Sequence, residues 1–205
     1  MRSIVPEAVL AFYVLLISLV AFKAVSKRFR MAVLGAAVAC VSLFVVFLRI
    51  PATDLGLRSD TASPAAIAYG IFTLLAAAAL LLLSRRRAGQ GTPSHWYRNP
   101  HLLFFFIPVS FAQQFLFQGV LLFELRTVLS PFLAILITAA VFGYLHVIYR
   151  DPLSSALVGF AGGVCFASLF VLFPNLIVAS VSHSILNFTA VYCGFFGVDT
   201  GENAP

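Results

Sequence analysis

Apolar positions in this chain do not alternate, and they do not recur every third and fourth residue. They fill long unbroken runs at residues 4–22, 31–48, 64–83, 101–123, 131–147 and 153–173, with a last run closing near residue 196. A hydrocarbon core about 30 Å thick needs roughly 20 apolar residues of helix to cross it, and no other open backbone satisfies its own hydrogen bonds there. The pattern therefore predicts an all-α, polytopic membrane bundle of about seven transmembrane helices. Polar punctuation separates the runs. Pro51 and Gly56 break the loop at 49–63, Pro64 and Pro131 stand where a first helical turn tolerates proline, and Asp151-Pro152 and Pro174-Asn175 make short turns. Residues 1–53 read as an N-terminal transmembrane hairpin, 54–197 as the core and 198–205 as a disordered tail. The run at 4–22 has no small-residue cleavage site and reads as a retained span rather than a signal peptide.

Composition sharpens this reading. Of 205 residues, 61% are hydrophobic and 10% charged, and the mean hydropathy is +1.03, which excludes a soluble domain. The net charge of +6 would fit nucleic acid only if it were clustered on one surface. Instead, nine of the thirteen Lys and Arg residues follow the first, third and fifth runs. That distribution is a topology signal and a contact with anionic membrane lipid, with no nucleic-acid partner expected. It places the N-terminus outside and the C-terminus in the cytoplasm of a plasma-membrane protein. Cys40, Cys165 and Cys193 have no metal-like spacing and read as buried small hydrophobes.

The chemistry is concentrated in the second half. Gln113, Gln114 and Gln118 fall within six residues of an apolar run, where an unpaired carboxamide costs of order 2–7 kcal/mol. On an α-helix, Gln114 and Gln118 stand one turn apart and can bond to each other. One glutamine would read as glue between helices; three read as the wall of a polar pocket. His146, four residues after Phe142, and His183, four residues before Asn187, supply matching polar positions in later runs. Gly159 and Gly163 form a G-x-x-x-G pair that lets another backbone approach. Glu124, too far along its helix to serve that pocket, reads as an interfacial ion pair or cap.

Taken in order, Gln113-Gln114-Phe-Leu-Phe-Gln118-Gly119, Phe142-Gly-Tyr-Leu-His146 and His183-Ser-Ile-Leu-Asn187 resemble the three motifs of the CPBP family of intramembrane endopeptidases. That family includes the CAAX prenyl proteases and bacteriocin-processing proteins. Asp54-Leu-Gly-Leu-Arg58 is similar to a short stretch preceding the family's core. The resemblance implies that Gln113, Gln114, Gln118, His146, His183 and Asn187 occupy catalytic-motif positions. In the family the first motif reads E-E-x-x-x-R. Its first glutamate is the proposed base that activates water, its second glutamate and arginine brace the site, and the histidines and asparagine position water or an oxyanion. Here all three charged positions are glutamine. A carboxamide takes no proton from water, and the joint loss of the Glu/Arg pair leaves no buried charge unpaired.

This implies a peptidase fold with proteolysis lost or strongly altered, its cavity kept for a hydrophobic or lipidated peptide, a transmembrane segment or a membrane protein partner. The alternatives are an active endopeptidase using His146 or His183 to activate water, and a small transporter or channel subunit. Absent internal repeats count against the transporter. No cofactor is expected; zinc on His146 and His183 is disfavoured because a catalytic zinc wants three good ligands and glutamine is a poor one.

Overall fold

The computed structural model describes residues 30–85, 100–149 and 151–195. The span expected at 4–22 and the tail expected at 198–205 lie outside them. Among the described residues the fold is helical throughout and forms six rods. The first two are α1 (Arg30–Phe47) and α2 (Ala62–Arg85). The third rod is continuous from α3 (Pro100–Gln114) through a π-helical segment (Phe115–Leu121) into α4 (Leu122–Val128). Then follow α5 (Pro131–Tyr144), which runs into a 3-10 turn (Leu145–Ile148), α6 (Pro152–Leu172) and α7 (Leu176–Tyr192). Each expected run from the second onward has its rod.

Among the described residues three stretches are long and apolar enough to cross a membrane: Ala62–Ser84, Phe104–Val128 and Pro152–Leu172. Met31–Phe47, Pro131–Val147 and Leu176–Tyr192 are shorter apolar helices. Their outer faces carry large apolar side chains, such as Phe47 at 84% exposed and Leu74 at 74%. Water would penalise such a surface, but lipid tails do not. The interior holds many of the polar side chains: Ser110, Gln114, Gln118, Thr138, Ser155, Ser182 and His183 are all buried. Hydrogen bonds between rods account for several of them. Thr73 Oγ1 and Ser182 Oγ lie 2.6 Å apart between α2 and α7, and Asn187 Nδ2 donates to Ser110 Oγ at 3.1 Å between α7 and α3.

The polar loop at 49–63 is part of the fold rather than a free connector. Gly56, at φ +81°, accepts a hydrogen bond from Leu176 N at 2.8 Å, and Asn175 Nδ2 donates to the Arg58 carbonyl at 2.8 Å. Thr61 Oγ1 donates to the Pro174 carbonyl at 2.9 Å. Asn175 also caps α7, accepting from Val178 N at 3.1 Å. One asparagine thus starts a helix and ties it to a loop more than a hundred residues earlier in sequence.

One expectation is corrected here. Cys40 and Cys165 lie on exposed faces, and Cys193 is half-buried. A thiol is apolar enough to face hydrocarbon, so a membrane helix need not turn it inward. Glu124, near the start of α4, is buried at 6% exposed.

Candidate intramembrane site

The glutamine motif lies where the third rod changes its winding. From Phe115 to Leu121 the helix is π, and the Leu122 N–H bonds the Phe117 carbonyl five residues back. All seven residues are buried. Isolated π turns inside α-helices frequently mark functional sites because they re-aim side chains within a continuous rod. Here the extra residue per turn takes Gln114 and Gln118 off a common face. The hydrogen bond expected between them across one turn does not form, since neither Oε1 has a partner.

Gln114 instead reaches α7. Its Nε2 donates to His183 Nδ1 at 3.0 Å, and both residues are buried. With Nδ1 accepting, the neutral His183 ring carries its hydrogen on Nε2. Asn187, one turn along α7, donates to Ser110 and lines the same cavity as that imidazole. His146 takes the opposite tautomer: its Nδ1 donates to the Phe142 carbonyl at 2.7 Å, which makes Nε2 the acceptor nitrogen of the neutral ring. The pair therefore combines one ring N–H with one ring acceptor, a set that can polarise a carbonyl or hold a water.

Aromatic rings fix both histidines. Phe142 stands between them, its centroid 4.7 Å from His146 and 5.6 Å from His183. Phe166 packs on His183 at 5.1 Å. The His146 ring fits only because residue 159 is glycine: a Cβ there would lie 2.8 Å from both Cγ and Nδ1 of His146. The helix that carries the G-x-x-x-G pair thus also makes room for a motif histidine. Sequence reading missed the supporting roles of Phe142, Phe166 and Ser110. A hydroxyl one turn before Gln113 was the available signal for Ser110.

His146, His183 and Asn187 line a cavity of about 230 Å³ between α2, α6 and α7. The remaining lining is apolar, including Phe72, Leu80, Val158 and Leu186. α2 and α6 meet where Phe72 and Phe166 pack edge to face at 5.1 Å. Exposed Leu83 and Cys165 also line the cavity, so it opens sideways through the bundle wall. Gln114 closes the site from behind through His183. Gln113 does not line this cavity; it is half-buried, with its Oε1 unpartnered. Gln118 lines a different pocket, at the end of the bundle where α4 finishes.

Among the described residues no three His, Cys, Asp or Glu side chains are grouped to hold a metal ion.

Residues 95–189 match the family model described as type II CAAX prenyl endopeptidase, Rce1-like. The resemblance to the CPBP family is borne out. The match takes in all three motif segments and the rods that carry them. Neither the curated proteins nor the solved structures gave a match to the chain. Over those residues the chain is similar to CAAX proteases, and among its described residues are helices long and apolar enough to cross a membrane.

Proposed function

We propose that this CAAX protease-like protein keeps the family's intramembrane cavity for binding while its peptidase chemistry is lost or strongly reduced. One observation carries the reading: among the described residues no Asp or Glu lines the cavity, and the glutamine that reaches the site donates an amide hydrogen to His183. Activating water needs a group that can take its proton, and a positioned base typically contributes ~10²–10⁴-fold in rate. Donors without a base leave only the smaller contribution of orientation and oxyanion stabilisation. A cavity of about 230 Å³ suits an acyl chain, a prenyl chain or one apolar side chain better than a folded partner. Its sideways opening admits a hydrophobic or lipidated peptide, or a transmembrane segment, from the bilayer. We place the protein in the plasma membrane with its N-terminus outside and the 49–63 loop on that same side as residue 126.

A second reading has one observation in its favour. The His146 tautomer leaves Nε2 as an acceptor, so histidine could serve as the base of an active peptidase. Proteolysis of a membrane-tethered prenylated peptide separates the two. The chain as it stands is expected to cleave slowly or not at all. The variant Gln113→Glu, Gln114→Glu, Gln118→Arg is expected to gain cleavage that His183→Ala abolishes. Robust, His183-dependent cleavage by the unmodified chain would overturn the proposal and favour histidine as base.

A further inference from the structure

A second pocket, of about 350 Å³, lies at the bundle end where the 49–63 loop, the last turn of α4 and the α6–α7 turn come together. Its lining differs from that of the histidine cavity. Asp54, Arg58, Arg126 and Gln118 supply its ionic and amide groups, over an apolar floor that includes Phe123 and Phe170. Arg126 stands in the last turn of a membrane-crossing stretch that ends at Val128, which puts the pocket at headgroup depth.

The charges can be accounted for one by one. Arg58 grips Asp60: its Nε donates to Oδ1 at 2.7 Å and a second guanidinium nitrogen donates to Oδ2. That pair is neutral as a unit. Arg126 and Asp54 remain, both exposed, one cationic and one anionic, with Asp54 also close enough to Arg58 to feel its charge. Beneath them Gln118 is 98% buried by its 2% exposure, and its Oε1 has no hydrogen-bond partner among the protein groups. A buried amide oxygen without a donor costs ~1–3 kcal/mol, so a ligand that brings N–H groups gains there. The pocket thus offers one site for an anion and two acceptors for a hydrogen-bearing cation.

We infer that this pocket binds a zwitterionic phospholipid headgroup bearing a primary ammonium, of the phosphoethanolamine type. The phosphate pairs with Arg126, and the ammonium donates toward Asp54 and Gln118. The acyl chains run down over Phe123 and Phe170. A phosphocholine headgroup has the same charges but no N–H to donate, and phosphoglycerol has no cation. The selectivity therefore rests on hydrogen bonding rather than on net charge. This inference is independent of whether the histidine cavity cleaves anything.

The test is lipid retention on the purified full chain, read by native mass spectrometry after mixing with equal amounts of phosphatidylethanolamine, phosphatidylcholine and phosphatidylglycerol of matched chains. Retained phosphatidylethanolamine should exceed phosphatidylcholine by about threefold or more. Asp54→Asn should bring the two close to parity, and Arg126→Gln should reduce retention of both, with Cys40→Ser as the unaffected control. Asp54 and Arg126 are exposed, so neither change threatens folding, and a thermal melt checks this. Equal retention by the unmodified chain, or selectivity untouched by Asp54→Asn, would overturn the inference. So would displacement of the retained lipid by micromolar glycerophosphoethanolamine, which would assign the pocket to a soluble ligand.

Discussion

The two sides of α6 pack in opposite ways. Toward α5 there is no room for a methyl group. A Cβ on Gly143 would lie 2.8 Å from the Ala156 carbonyl and the Phe160 nitrogen, and one on Gly163 would lie 2.9 Å from Ala139 Cα. Toward α2, a Cβ on Gly162 would meet nothing within 4 Å, and the space beyond it is the cavity. Gly162 and Gly163 are neighbours in sequence, yet one closes a seam and the other leaves a gap. In a bilayer, helices gain little from burying apolar surface, so close contact has to come from small residues that let backbones meet. The tight seam fixes the position of the His146 ring, and the loose side gives a ligand access to it. A rigid wall beside an open one is what a binding site within a helix bundle needs.

The contrast can be broken at its tight side first. Gly143→Ala presses against backbone atoms that have no rotamer to change, and overpacking of that kind costs ~1–3 kcal/mol. Thermal unfolding in detergent should show the largest drop in midpoint for this variant. An unchanged midpoint would mean that α5 and α6 are not in contact as described. Gly159→Ala is expected to cost somewhat less, of order 1 kcal/mol, because the His146 ring can swing away. It should also weaken binding of a prenylated peptide, since the ring's displacement breaks the bond to the Phe142 carbonyl. On the loose side, Gly162→Ala should change stability by no more than about 0.5 kcal/mol. Gly162→Leu should leave the melt nearly unchanged while filling the cavity and lowering peptide binding. Were Gly162→Leu as destabilising as Gly143→Ala, the two faces would not differ.

Much of this fold could be read from the sequence because lipid imposes a simple rule on length and polarity. The runs at 31–48 through 153–173 each have a rod, and Gly159 and Gly163 face a neighbouring helix as their spacing implied. The pairing of Gln114 with His183 was not legible. Nothing in Phe115-Leu-Phe-Gln118-Gly119 distinguishes a π turn from an α turn, and that single change of winding turns Gln118 away from the face of Gln114 and into a different pocket. The docking of Gly56 and Arg58 onto residues 175 and 176 was hidden for a different reason. It depends on hydrogen bonds to backbone carbonyls from segments far apart in the chain, which the apolar and polar pattern does not encode. The cysteines were misplaced because soluble proteins bury thiols from water, and here the outside is not water.

The account's central claim is that the histidine cavity binds without cutting, and Cys165 makes both halves measurable at once. It is exposed and lines the cavity. In a Cys40→Ser, Cys193→Ser background, reconstituted protein would be incubated with a prenylated peptide, and the rate of thiol labelling at Cys165 followed while the peptide is weighed by mass spectrometry. The account predicts slower labelling, saturating with peptide and lost in Gly162→Leu, with the peptide recovered intact. Labelling at an unchanged rate would contradict the binding half, and a shortened peptide would contradict the claim that the glutamines have removed the chemistry.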